Sequence, residues 1–364
     1  MPHFSYKGLR IIGIAAAVPT ETVSVDSFIK DYGEEAVKRF SEMTGVKGFQ
    51  RAKKHQTASD LGFVAAERIL QEKEIDRNMI GALVFAAHST DYRRPATACV
   101  LHKRLGLSKN CAAFDIGLGC SAVVYGLQAI CSMMTSSNIE RGLLIVGETI
   151  TKMVNPKDRS GNMLFGDGGA ALLVEKTGNK EDVIQISLKT DGNGYRSIIA
   201  PAGGFRNMDA PHEDMVWPDG YIRSLYNTYM NGTDVFSFTI SDVPRTIKEF
   251  LETTGTTVAD YDCFAFHQAN SFIHKQLSKR LKIPMEKMPL CMDKFGNTSA
   301  PAVALALCDA YGNVQSEETL KTMFCCFGVG LSWGVAAAQI RIDDILPIME
   351  TDEIFEEGII NEPF

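Results

Sequence analysis

Two stretches of the chain, far apart in sequence, follow one plan. In the first, a short apolar strand ends at Ala87-His88, and well downstream a glycine leads into Cys120 and a run of small apolar residues, GCSAVVYGL. In the second, a strand ends at Phe266-His267, and at a similar distance downstream a glycine leads into Asn297 in GNTSAPAVAL. Each stretch then offers a strand closed by glycine, GLLIVGE in one and MFCCFGVG in the other. Two such βα units facing each other across a pseudo-twofold would bring Cys120, His267 and Asn297 to adjoining strand and helix ends. At 364 residues the chain exceeds the usual size of one core. The repeat divides it near residue 180, into an N-terminal half over 1–180 carrying Cys120 and a C-terminal half over 181–364 carrying His267 and Asn297.

Between these landmarks strands and helices alternate. Residues 10–17 (RIIGIAAA), 81–87 (GALVFAA), 110–116, 142–147 (GLLIVG) and 170–174 read as buried strands, while 58–72 and 120–134 have helical periodicity. This alternation predicts an α/β architecture with helices on both faces of its sheets. Residues 191–229, rich in Gly, Pro and Asn, read as an excursion between the halves, of the kind that covers binding sites. The acidic end, 352–364, reads as a solvated tail.

Charge and cysteine usage narrow the function. Asp and Glu outnumber Lys and Arg by 44 to 37, for a net charge of -7. That balance argues against nucleic acid as the main partner, though a local basic patch could still bind an anionic substrate. No run approaches the roughly 20 apolar residues that span a bilayer, and the opening residues do not read as a targeting signal. Nine cysteines are scattered through apolar segments with no CxxC pair, which suits small buried hydrophobes in a reducing, cytoplasmic setting.

Among the cysteines, Cys120 stands apart. It sits at a strand–turn–helix junction, FDIGLGCSAVVYG, where helix N-terminal peptide dipoles lower a thiol's pKa and free N–H groups bind anions. The same position also suits a small core residue. His267, at the C-terminal edge of a buried strand, lies where α/β proteins place ligands, and reads equally as a polar cap for the next helix. Asn297 alone reads as an ordinary N-cap. Together the three support acyl transfer and decarboxylation: a thiolate carries the acyl group, and two neutral donors hold the charge that builds on a thioester oxygen.

GCSAVVYG around Cys120, FGDGGAALL at 165–173, HQAN at 267–270, GNTSAPA at 296–302 and FGVGLSWG at 327–334 resemble, in order and spacing, the motif series of the β-ketoacyl-acyl-carrier-protein synthase III family. Weaker similarity runs from the opening strand through TGV at 44–46, so the resemblance covers nearly the whole chain. It implies a thiolase-like fold, two similar halves packed as a layered α/β/α/β/α structure, and a homodimer. It also implies Cys120, His267 and Asn297 as the catalytic triad. A short acyl-CoA would acylate the cysteine, and condensation with malonyl-acyl-carrier protein would follow. No metal or cofactor is implied; the substrates are coenzyme A thioesters. The N–H groups of Cys120 and Val329 would form an oxyanion hole. Thr44 and Arg159 match positions that contact coenzyme A, Phe236 matches a channel-lining position, and Ala269 and Asn270 belong to the HQAN substrate-binding motif. Asp167 in GDGG is expected to hold a turn.

This chain departs from the family's pattern at four places. Phe272 replaces a docking arginine, Arg39 and Met43 replace the pair that clamps the adenine, and Arg94 aligns near a bulky apolar residue that closes the acyl pocket across the dimer. On the helix expected over 271–281, Lys275, Lys279 and Arg280 offer an alternative basic face for an acidic carrier. Three other readings stand beside condensation: acyl transfer to a hydroxyl or amine, a non-catalytic partner subunit of a synthase heterodimer, and a plain thiolase. The intact triad counts against the second. The third lacks its second catalytic cysteine, since Cys325 and Cys326 lie in the strand before FGVG. The flanking motifs fit chalcone-synthase-like enzymes poorly.

Overall fold

The computed structural model describes residues 2–362. Two sheets carry the fold. The first has strand order Met349–Thr351, Leu9–Pro19, Gly168–Lys176, Arg141–Glu148, Ile80–Ala86, Ala112–Ile116. The second runs His3–Lys7, Val183–Thr190, Ser332–Arg341, Thr319–Gly328, Cys263–Phe266.

The repeat read from the sequence is present in the pairing. In the first sheet Ile80–Ala86 lies parallel to Arg141–Glu148, which is antiparallel to Gly168–Lys176, which is antiparallel to Leu9–Pro19. In the second, Cys263–Phe266, Thr319–Gly328, Ser332–Arg341 and Val183–Thr190 repeat that series with the same directions. A division at residue 180 falls between the adjoining strands Gly168–Lys176 and Val183–Thr190. The terminal segments cross it, however: His3–Lys7 pairs in the second sheet and Met349–Thr351 in the first. The halves are interlocked by these exchanged strands.

Two helices lie between the sheets, Ala122–Thr135 and Ala302–Tyr311, each touching strands of both. Both are apolar nearly all round, as a helix with no solvent face must be. Outside, Ala58–Glu72 packs on the first sheet and Gly232–Thr254 on the second, completing the α/β/α/β/α stack. The former is closed by a capping box in which the Thr57 N–H donates to Asp60 Oδ2 at 2.7 Å. The largest apolar cluster fills the space between the sheets, with one further cluster on each outer face.

Two expectations need correction. Residues 352–360 do not form a solvated tail. Gln56 Nε2 donates to the carbonyls of Thr351 and Glu353, the Phe355 N–H donates to Asp60 at 3.0 Å, and Tyr92 Oη donates to the Gly358 carbonyl at 2.6 Å. The segment docks because Arg104, with only 4% of its side chain exposed, needs Asp60 and Glu353 as counter-charges and stacks between the rings of Phe63 and Phe355. Residues 363 and 364 lie outside the described part. Asn297, in turn, is not a helix N-cap, because the helix after it starts only at Ala302.

Candidate active site

Three segments converge between the halves. Cys120 follows the strand Ala112–Ile116 and its glycine turn, two residues before the helix at Ala122. His267 follows the last residue of Cys263–Phe266, its N–H bonded to the Cys325 carbonyl at 2.9 Å. Asn297 is held by backbone bonds to Leu164 and Gly166. All three line one cavity of about 150 Å³ together with Ser299, Phe327, Gly328 and Val329.

Each side chain is oriented by a neighbour. Cys120 Sγ shares a hydrogen bond of 3.3 Å with Ser299 Oγ. The Ser299 N–H donates to Asn297 Oδ1 at 3.0 Å, which fixes the amide and leaves its Nδ2 donor for the cavity. His267 meets the edge of Phe327, and its Nδ1 is buried without a hydrogen-bond partner. At Gly328 only a glycine fits: a Cβ there would stand 2.5 Å from Cys120 Cβ and 2.9 Å from Sγ. Its absence lets the chain pass close enough for the Val329 N–H to bear on the sulfur.

The electrostatics depart from the sequence expectation at Cys120. Burial pushes its thiol up to about 11, and the Glu148 carboxylate adds to the push. The Ser299 hydroxyl and the N–H groups of Cys120 and Val329 pull the other way without prevailing. The helix start was expected to favour thiolate, but desolvation in an enclosed cavity outweighs it. For His267, burial, with the nearby His274 second, pushes the imidazole down to about 3, so it is a neutral donor near pH 7. A neutral imidazole and an amide suit an enolate oxygen, which a carboxylate would repel.

The remaining sequence candidates fall into three places. Phe236, Ala269, Asn270 and Val329 line the cavity, Phe236 stacking on Phe272 at 5.6 Å. Asn270 also caps the helix Ser271–Leu281, accepting from the Ile273 N–H at 2.8 Å. Thr44 and Arg159 lie in a groove of about 800 Å³ that meets the cavity at Leu164, Met230 and Asn270 and also holds Arg39 and Met43. The Thr44 hydroxyl is engaged locally, donating to the Phe40 carbonyl at 2.8 Å. Arg159 lies over the Tyr221 ring, on the 191–229 excursion, which thus covers the groove. Lys275, Lys279 and Arg280 are exposed on one helix, away from the cavity, and make no ion pair among the described residues. Arg94 lies in a separate groove with Cys99 and Phe355. Asp167 is structural: buried, it accepts from the N–H groups of Ala52 and Thr151 and from the Thr151 hydroxyl.

Sequence reasoning passed over Ser299, Glu148 and His88. Ser299 lies inside the GNTSAPA motif, but its left-handed backbone, φ 60°, which turns it to the sulfur, leaves no trace in a serine. Glu148 carried a signal: a carboxylate closing an apolar strand is buried with a purpose. It accepts from the N–H groups of His88 and Ser89 and from the Ser89 hydroxyl.

Comparisons with known proteins bear on this arrangement. A family profile described as 3-oxoacyl-[acyl-carrier-protein (ACP)] synthase III matches residues 114–192, and its C-terminal counterpart matches 251–340. A putative 3-oxoacyl-[acyl-carrier-protein] synthase 3 of Campylobacter jejuni is 32% identical over 338 residues, covering 91% of this chain and 94% of that protein. A β-ketoacyl-[acyl-carrier-protein] synthase III of Caldanaerobacter subterraneus is 36% identical over 293 residues, covering 80% of this chain and 85% of its own. Among solved structures, a 3-oxoacyl-(acyl-carrier protein) synthase of Burkholderia xenovorans superposes with a TM-score of 0.90 at 34% identity, over 96% of this chain and 99% of that one.

Proposed function

The chain belongs to the 3-oxoacyl-[acyl-carrier-protein] synthase III family, and from that premise we propose that it condenses an acyl-CoA with malonyl-acyl-carrier protein through Cys120, His267 and Asn297. The observation that carries this reading is the convergence of a thiol, a neutral imidazole and an oriented amide on one cavity, from both halves of the repeat.

The chemistry runs in two stages. Cys120 sulfur attacks the thioester carbon, its proton leaves with the coenzyme A thiol, and the N–H groups of Cys120 and Val329 hold the oxyanion. Malonyl thioester then takes the vacated groove. Its bond to the carboxylate breaks, carbon dioxide departs, and the electron pair enters an enolate whose oxygen accepts hydrogen bonds from His267 and Asn297. The enolate carbon attacks the acyl carbon, the bond to Cys120 sulfur breaks with its electron pair staying on sulfur, which takes a proton from water, and a 3-oxoacyl thioester leaves. None of these steps calls for a cofactor. Thr44, Arg159, Phe236, Ala269 and Asn270 bind the donor on this reading, and Lys275, Lys279 and Arg280 meet the carrier. Two copies form the enzyme, and a reducing cytoplasm suits its nine free thiols. Among the described residues no helix is long and apolar enough to cross a membrane.

Intact-protein mass spectrometry after exposure to a series of acyl-CoAs tests the first stage. An added acyl mass that is absent in Cys120→Ser is expected; an equal mass gain in the variant would move the nucleophile elsewhere. Acyl transfer to a hydroxyl or amine shares that stage and is separated from condensation by its indifference to Asn297→Ala.

A further inference from the structure

The pseudo-twofold gives the catalytic histidine a counterpart. His267 follows the end of Cys263–Phe266, and His88 follows the end of Ile80–Ala86, the equivalent strand of the other half. Both imidazoles line the Cys120 cavity. His88 lies against Cys120's own turn: a Cβ placed on Gly119 would stand 2.7 Å from His88 Nδ1 and 2.9 Å from Ser299 Oγ. Each half thus contributes one imidazole to the cavity, and His88 is the one set against the turn that carries Cys120. Condensation, as set out above, leaves His88 without a task.

Its surroundings define what it would meet. His88 Nδ1 stands 3.7 Å from Glu148 Oε1, and 29% of its side chain is exposed. No protein hydrogen bond to the His88 ring is formed among the described residues. Much of the wall is apolar, built by Ile150, Met153, Leu164, Phe165, Ile198 and Met230. In an apolar pocket a polar group in a defined place sets which ligand fits, since leaving it unpaired costs more than a misplaced methylene. The ligand is not an anion, because the wall holds no lysine or arginine and has a carboxylate close by. It is not a cation, because Glu148 is 1% exposed and already accepts from three donors. A neutral hydrogen-bonding group fits, and on a short acyl chain a hydroxyl or keto oxygen is the simplest one.

We propose that His88, its backbone N–H anchored on Glu148, selects a donor acyl group carrying a hydroxyl or keto oxygen near its thioester, so that Cys120 is charged with an oxygenated short chain in preference to the plain one. This rests on the reading of Cys120 as the acyl carrier and names its substrate class. The test is a competition: the protein is mixed with butyryl-CoA and an equal amount of 2-hydroxybutyryl-, 3-hydroxybutyryl- or acetoacetyl-CoA, and the acyl mass on Cys120 is read after a short interval. At least one oxygenated donor should win by about tenfold in the wild-type protein, the scale of one neutral hydrogen bond. His88→Leu should bring that ratio to about one or below, and His88→Gln, which keeps a donor and an acceptor, should retain part of it. Butyryl winning or tying against every oxygenated donor in the wild type overturns the inference, as does an unchanged ratio in a folded His88→Leu. If His88→Leu does not fold, the wild-type and His88→Gln ratios decide. Butyryl uptake without oxygenated preference removes this inference alone; no acyl mass from any donor removes the reading beneath it as well.

Discussion

At Cys120 burial opposes every group that would favour thiolate, and burial wins, holding the thiol near 11. A raised pKa favours the protonated form, so the thiolate fraction at pH 7 is small and grows about tenfold per pH unit. Alkylation of the Cys120 peptide by iodoacetamide should therefore climb log-linearly from about pH 7 to 9 with no plateau; a plateau near neutrality would show a stabilised thiolate instead. His267, pushed down to about 3 by burial, should leave no inflection in the decarboxylation rate between about pH 5 and 8. In the proposed condensation its role is hydrogen bonding. His267→Ala or Asn297→Ala should thus slow carbon dioxide release from labelled malonyl thioester by on the order of a hundredfold while acylation of Cys120 continues. Wild-type release in both variants would refute that division of labour. Cys120, His267 and Asn297 could be singled out from the sequence because each stands in a motif, directly after a strand end at His267 and directly after a glycine at Cys120 and Asn297. The pKa of Cys120 was not legible, because desolvation depends on what encloses the sulfur, and Glu148, Ser299 and Val329 come from distant segments.

Elements bring these residues together, and the closest approach is the end of the strand Thr319–Gly328 against the Cys120 turn. Gly328→Ala would place a methyl within 2.9 Å of both Cys120 Cβ and Sγ. Acylation should fall at least tenfold as the strand end shifts, with a loss of a few degrees in melting temperature from the overpacking; an undiminished rate would show that this strand end does not position the sulfur. The helix Ser271–Leu281 makes the opposite, exposed contribution. Lys275→Glu with Lys279→Glu should weaken use of carrier-linked malonyl, in kcat/KM, far more than use of malonyl-CoA, and the difference should shrink with added salt. Equal losses with both donors would remove carrier recognition from this face. Helices with strong periodicity, 58–72 and 271–281, were readable to the residue. Read alone, Asn297 resembles an N-cap because Asn before a helix commonly is one, whereas its Oδ1 accepts from the Ser299 N–H and its Nδ2 is left free.

At the scale of the whole molecule the repeat was legible, since equivalent motifs recur in equivalent places. The exchange of terminal strands was not, because pairing of His3–Lys7 with Val183–Thr190 is a long-range choice that local pattern does not encode. The docked acidic end belongs to the same class. Truncation after residue 352 would strip Arg104 of Glu353 and the Phe355 ring, and should lower the melting temperature by a few degrees. An unchanged melting temperature would return this segment to a solvated tail. What both halves achieve together is tested most directly by a single turnover. The protein is acylated on Cys120, freed of excess donor and mixed with malonyl-acyl-carrier protein, while the masses of enzyme and carrier and the carbon dioxide released are followed. Loss of the acyl mass from Cys120, one carbon dioxide released and a matching 3-oxoacyl mass on the carrier are the expected result. Persistence of the acyl-enzyme with no carbon dioxide released, and discharge of the acyl group only to a hydroxyl or amine, would contradict condensation.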